Sequence, residues 1–340
     1  MKLKISALFL GSALALAATT GAFAQDKTIK IGVLTDMSGL YSDLGGAGST
    51  LAAQMAVEDS GLAAKGWKIS VVSADHQNKP DIATNIARQW IDVEKVDIFM
   101  DVLNSGVALA VNNLVKEKNA IMINTGAASS DLTNAQCSPN TIHWVYDTYM
   151  LANSTGQALV KTGGDTTNTI KQAAEFGIVS GGQKLAGLLL FINDVHALGL
   201  NVAQGLNFTE TFYWDLNDGT RAFSKRFSER TKNKAQPSMV QAGVYSGLIH
   251  YFKALEAMGG NNHDGAKIVA KMKEMPTDDP LFGKGTIRED GRKIHPAYLF
   301  EVKKPSESKG PWDYYKLIGT TPGEQAFRPL SESACPLVKK

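Results

Sequence analysis

Residues 28–46 read TIKIGVLTDMSGLYSDLGG, and the order of events in that stretch predicts the fold. Ile29, Ile31, Val33 and Leu34 form a dense apolar run, broken only by Lys30 and Gly32, which reads as a buried strand over residues 28–34. A polar, glycine-rich loop follows at 36–46, then an amphipathic helix over about 48–60 with Leu51, Met55 and Val57 among its apolar positions. The alternation repeats downstream. Residues 68–74 are a second strand, and 81–94 a second helix capped by Asp81 behind Pro80. Residues 97–103 are a third strand, 105–118 a third helix and 121–124 a fourth strand. Strict alternation of strand and helix is the pattern of an α/β fold whose parallel sheet is covered on both faces.

Such sheets take ligands in the crevice beyond the carboxyl ends of their strands. That rule selects three loops, 36–46, 102–105 and 124–133, all rich in Gly, Ser, Thr, Asn or Ala, so that backbone N–H groups can approach a ligand. The third helix starts at Ser105 and presents free N–H groups and a partial positive charge to the crevice, which suits a carboxylate. As an N-cap, Ser105 would stabilise its helix by about 1 kcal/mol; in a cleft the same hydroxyl also binds an anion.

Further on, helices are expected at 166–176, 196–206, 219–232, 239–258 and 265–275, and strands at 185–191 and 207–214. The tail reads as short strands at 282–288, 297–302 and 312–318. No internal repeat or low-complexity tract interrupts the chain.

The first residues address the compartment. Lys2 and Lys4, the apolar stretch 5–18 and Ala22-Phe23-Ala24 are the three parts of a secretory signal peptide, so residues 1–24 are expected to be removed and the mature chain to be soluble outside the cytoplasm. The apolar stretch is short of the roughly 20 residues that span a bilayer. Without those two lysines the chain carries 33 basic and 33 acidic residues, a balance that gives no electrostatic footprint for nucleic acid or an anionic membrane. Cys137 and Cys335 are the two cysteines; in an oxidising compartment such a pair more often forms one bridge than remains as two buried thiols.

Enzyme signatures are missing: no phosphate-binding G-x-x-x-x-G-K-[ST] loop, no H-E-x-x-H and no G-x-S-x-G elbow. Gly45-Gly46-Ala47-Gly48 lacks the spacing of a dinucleotide fingerprint, and the six histidines are scattered. No cofactor or metal site is therefore expected. Asp36 and Asp75, at strand ends, read as loop-capping acids. Tyr41, Tyr146, Tyr149, Tyr213 and Trp214 fall in loops or near crossings and together suit an aromatic or apolar ligand body.

The segment IKIGVLTDMSGLYSDLGG, the DVLNSGVALAV loop, MINTGAASSDLT, EFGI, FYWDLNDGTRAFSKRF and the HPAYLFEVKKP tail together resemble the branched-chain amino-acid-binding type of periplasmic protein, over nearly the whole mature chain. Within that type the resemblance is nearest to a branch that binds aromatic carboxylates. It implies two doubly wound lobes, a type I periplasmic binding protein fold, hinged by three crossings and closing on ligand. The lobes would comprise residues 25–146 with 216–290, and 147–215 with 291–340. The resemblance further implies the substrate-binding component of an ABC importer, a monomer without enzymatic activity. It would capture a small carboxylate, an aromatic acid or a branched-chain amino acid, and deliver it to the inner-membrane permease. The alternative is a ligand-sensing module of the same fold feeding a signalling receptor.

By position, Ser105 matches the family's carboxylate-binding serine, and Gly126 and Ala128 match two positions whose backbone meets the ligand head group. Amino-acid-binding members carry a threonine at the second of these; Ala128 therefore argues for a ligand with a carboxylate and no amine. Tyr41, Tyr149, Asn193 in the Asn193-Asp194-Val195-His196 loop, and Trp214 complete the expected ligand set. One departure concerns the second lobe. Gly163-Gly164-Asp165 leads straight into the helix expected at 166–176, where the family inserts further strands and helices, so this lobe is expected to be incomplete.

Overall fold

In the computed structural model, which describes residues 26–162 and 186–339, the strands β1 (Thr28–Thr35), β2 (Lys68–Asp75), β3 (Ile98–Asp101), β4 (Ile121–Asn124) and β5 (Thr141–His143) form one parallel sheet in the order β2-β1-β3-β4-β5. The helices α1 (Gly46–Ser60), α2 (Pro80–Asp92) and α3 (Ser105–Lys118) make the crossovers. Side chains alternate between two cores. Ile29, Ile31, Val33, Met100 and Ile123 point to one, shared with α1 and the long helix Met239–Met258; Leu34, Phe99 and Met122 point to the other, shared with α2 and α3. This is why the strands read as continuous apolar runs rather than as alternating ones. Gly32 is required where it stands: a Cβ there would lie 2.5 Å from the Trp90 ring that packs across β1.

A second sheet, in the order β11-β10-β6, holds the other lobe. Its strands β6 (Asn207–Glu210), β10 (Ala297–Val302) and β11 (Tyr315–Thr321) pair antiparallel, and Ala186 adds a parallel bridge to Asn207. Its core is aromatic, with Phe208, Phe300, Tyr213 and Tyr315 packed together and Tyr213 stacked 4.6 Å from Tyr315. The helix α4 (Thr148–Thr162) covers it. A third, small sheet joins β7 (Thr277–Asp279), β8 (Gly283–Ile287) and β9 (Lys293–Ile294).

The crossings between lobes are bound tightly to each other. His143 N donates to Gly291 O at 2.9 Å, the fully buried Arg292 donates to Val145 O at 2.9 Å, and His295 Nε2 lies 2.9 Å from the same carbonyl. The C-terminal segment then returns to the first lobe. Ala326 and Phe327 enter its core, and Cys335 is bonded to Cys137.

Several elements differ from the sequence expectation. Residues 185–191 do not form a strand in the described part: only Ala186 bridges, and Leu188 and Leu189 lie exposed. The helix expected at 196–206 is split at Gly199, whose φ of +75° ends one helix (Ile192–Leu198) before another (Leu200–Ala203) starts. The last strand lies at Tyr315–Thr321 rather than 312–318, because Trp312, at φ +70°, turns the chain. The helix expected at 166–176 lies outside the described residues.

Candidate functional site

A cavity of about 680 Å³ opens between the lobes at the carboxyl ends of the first sheet. Three loops of the first lobe and one segment of the second line it.

The first loop, after β1, is held at its near end by Asp36, whose carboxylate accepts from Gly39 N at 2.8 Å, Tyr41 N at 2.9 Å and the Asn78 amide. Burial works to raise the Asp36 pKa, but these bonds outweigh it and hold the group below its ordinary value. Asp75 accepts likewise from Met37 N and Gln77 N, so both acids serve the loop. At its far end Ser238 donates to Leu44 O at 2.7 Å and Gln241 to Gly45 O at 3.1 Å. Leu40, Tyr41 and Leu44 thereby face the cavity.

The second loop joins β3 to α3 under strain: Asp101, Val102 and Asn104 have φ of +76°, +53° and +72°, and a β-branched residue such as Val102 rarely adopts such a value. The cap of α3 is Asn104, not Ser105; its Oδ1 accepts from Gly106 N at 3.0 Å and Val107 N at 3.3 Å. Ser105 is the first helical residue. Its Oγ accepts from Ser129 N at 3.2 Å, which leaves the hydroxyl hydrogen for the cavity.

The third loop follows β4. Gly126, Ala127 and Ala128 line the cavity, Tyr146 donates its hydroxyl to Gly126 O at 2.6 Å, and Thr148 N donates to Ala128 O at 2.8 Å. The N–H groups of Ser105 and Ala128 donate to no described residue. A Cβ on Gly126 would come within 2.2 Å of Leu103, whose side chain forms the cavity floor between Gly45 and Gly126. Beneath the floor lies Asp101, fully buried; burial pushes its carboxyl above the ordinary value against the hydroxyls of Thr35, Ser49 and Thr125.

The second lobe contributes Leu189, Phe191, Asn193, Asp194 and Ala197. Phe191 meets Tyr146 edge-on with ring centres 5.7 Å apart. Asn193 donates across the cleft mouth to Asp43 O at 2.9 Å. Asp194 Oδ2 accepts from Phe191 N at 2.9 Å and so caps its own helix.

Of the residues singled out by sequence, Tyr41, Ser105, Gly126, Ala128 and Asn193 are brought together here. Tyr149 and Trp214 lie outside the cavity lining. The Tyr149 ring is covered by the Arg328 guanidinium at 4.7 Å, and the Trp214 indole donates to Trp312 O at 2.7 Å. His196, in the loop expected to face the cleft, turns away to stack on Trp312 at 4.0 Å. Leu103 and Asp194 lay in segments that sequence placed at the cleft without being singled out as ligand residues, and Phe191 was not selected. For Asp194 a signal existed in an acid three residues into a helix start, but it marks a cap as readily as a site. Among the described residues no cluster of His, Cys, Asp and Glu could hold a metal ion.

A model of the family described as periplasmic binding protein matches residues 28–167 and 159–310. The chain is 41% identical to a periplasmic binding protein from Burkholderia mallei of known crystal structure, with a TM-score of 0.85 and 92% of this chain and 100% of that one covered. It is 35% identical, with the same score and coverage, to the periplasmic ligand-binding protein of a branched-chain amino acid ABC transporter from Burkholderia xenovorans LB400. A solute binding protein of an ABC transporter from R. palustris, solved with 4-hydroxybenzoate, is 19% identical over 87% of this chain and 97% of that one, and shares the fold at a TM-score of 0.76. Leu/Ile/Val-binding protein homolog 6 of Brucella melitensis is 30% identical over 156 residues, 44% of this chain; the match spans only 39% of that relative's length.

Proposed function

Because the chain belongs to the periplasmic binding protein family, we propose that it is the receptor of an ABC importer that captures a small aromatic carboxylate between its lobes and passes it to the inner-membrane permease. In this reading residues 1–24 are cleaved on export. The closing lobes comprise residues 25–146 with 216–290, which the C-terminal segment around Phe327 and Cys335 rejoins, and 147–215 with the chain from 291 up to that return, and the protein works as a monomer without catalysis.

One observation carries the ligand class. The Ser105 hydroxyl and the unclaimed N–H groups of Ser105 and Ala128 converge on one cavity at the N-terminus of α3. Such donors beside a helix N-terminus fit a carboxylate. The walls beyond them are Leu40, Tyr41, Leu44, Leu103, Tyr146 and Phe191, apolar or aromatic surface that fits a ring. Closure follows from differential affinity, since a ligand that touches both lobes favours the state in which both reach it.

Titration calorimetry of the chain without residues 1–24 tests this, with 4-hydroxybenzoate, benzoate, 4-coumarate, leucine and succinate as ligands. Binding of the aromatic acids, weakened about tenfold or more by Ser105→Ala, is the expected result. Tight leucine binding with no response to aromatic acids would overturn it.

A further inference from the structure

The two sides of the cavity are chemically unequal. The first lobe offers hydrogen-bond donors, whereas the second offers an acceptor. Among the described lining residues there is no Lys, Arg or His; the charged side chains are Asp43 at the mouth and Asp194 on the second lobe. Asp43 belongs to the first lobe, where its backbone carbonyl accepts from Asn193 and Gln241 and holds the residue at the exposed mouth, so Asp194 is the carboxylate that faces the first-lobe donors from the second lobe. Asp194 is fixed in place: its Oδ2 is tied to Phe191 N, and its own N–H donates to Phe191 O at 2.9 Å. Its Oδ1 takes no hydrogen bond from the described residues, and the side chain lines the cavity. A carboxylate whose one oxygen is anchored and whose other is open has a set direction in which it can accept.

We propose that Asp194 is a specificity-determining residue, which selects carboxylate ligands carrying a hydrogen-bond donor, a ring hydroxyl, at the end opposite the carboxylate. This rests on the reading of the cavity given under Proposed function and adds the second half of the ligand. With its carboxylate on Ser105 and Ala128 in the first lobe, a ring between the aliphatic and aromatic walls would present its far substituent to the second lobe. The hydroxyl would donate to Asp194 Oδ1 and link the lobes through the ligand. Asp194 is exposed at the cavity surface, so its carboxylate is within reach of a ligand, and the desolvation its surroundings impose raises its pKa. Glu210 lies behind it with a hydrogen bond from Tyr315 at 3.0 Å and is fully buried, so it cannot compete for the ligand. A ligand without the donor leaves Asp194 Oδ1 desolvated and unpaired in the closed cleft, and sites built to satisfy a polar group discriminate strongly against such analogues.

The test is a calorimetric series on the native-sequence protein with 4-hydroxybenzoate, 4-aminobenzoate, 4-methoxybenzoate and benzoate, repeated on Asp194→Asn. Asparagine keeps an acceptor for Phe191 N and so preserves the helix cap, but it turns an amide N–H₂ toward the cavity. The expected result is a preference of about tenfold or more for 4-hydroxybenzoate over 4-methoxybenzoate and benzoate, lost or reversed toward the methoxy acid in Asp194→Asn. Tighter binding of the amino than of the hydroxy acid would assign the donor to an amine and overturn the hydroxyl. Equal binding of all four acids by the native sequence would sink the role of Asp194 while leaving the carboxylate site standing. No binding of any of them would sink both. The ligand series on the native sequence decides the matter even if the variant unfolds.

Discussion

At residue 104 the backbone sits at φ +72°, and the asparagine there turns a strained position into the cap of α3. Two effects are superposed: the side chain satisfies two N–H groups, and asparagine tolerates the left-handed region better than most residues. Asn104→Ala should therefore cost about 1–2 kcal/mol, whereas Asn104→Gly, which keeps the backbone free, should cost less than about 1 kcal/mol. Urea unfolding of both variants measures this; equal losses would show that the backbone contributes nothing. The same position shows what a sequence reveals at this scale. The start of a helix at the carboxyl end of β3 was legible, and Ser105 was selected from it. That the cap lies one residue earlier depends on a φ angle that residue spacing does not report. Tyr149 and Trp214 failed as lining residues for a related reason: their partners Arg328 and Trp312 are far along the chain, and only the tertiary fold brings them there.

Elements whose periodicity is long and complete were read well. The helix Met239–Met258 matches its expected bounds, and Gly265–Glu274 ends one residue short of them. A strand depends on its neighbours, so the apolar run at 185–191 could not be resolved in advance; with only the Asn207 bridge at one residue, it remains irregular. The anchoring of β1 is another matter that sequence left open. His263 places Nε2 2.9 Å from Asp26 Oδ2 and Nδ1 2.7 Å from Asp97 Oδ1, tying the residues before β1 to those before β3. Partial burial pulls the His263 pKa down, but the bonds to Asp26 and Asp97 outweigh it and hold the pKa above the ordinary value. A folded pKa raised above the unfolded one means that the stabilisation is complete below the unfolded value of about 6.5 and is lost as pH rises through the folded value. The ring is half exposed, so screening keeps the effect modest. The urea midpoint should fall between about pH 6 and about pH 8, and His263→Gln should flatten that part of the profile; an unchanged slope in the variant would assign it to other groups.

For the whole molecule, the alternation after residue 28 gave the first lobe its sheet, its two cores and its ligand edge. The second lobe was less legible, because its sheet pairs β6 with β10 across the long stretch 211–296, much of which packs on the first lobe, while only β10 and β11 are neighbours in sequence. The cleft between them carries a direct contact, Asn193 to Asp43, so the two lobes already meet at the mouth. The bridge between Cys137 and Cys335 has a topological consequence. The two cysteines are 198 positions apart, and the entire second sheet lies between them. Main chain and disulfide together therefore form a covalent ring, and a single cut within it divides the polypeptide without separating the pieces. Limited proteolysis at the exposed Leu188–Leu189 segment should yield one band on a gel run without reductant and two bands with it; two bands in both lanes would show that the ring is open. A protein built this way can lose a peptide bond in a protease-rich compartment and still hold its halves in register.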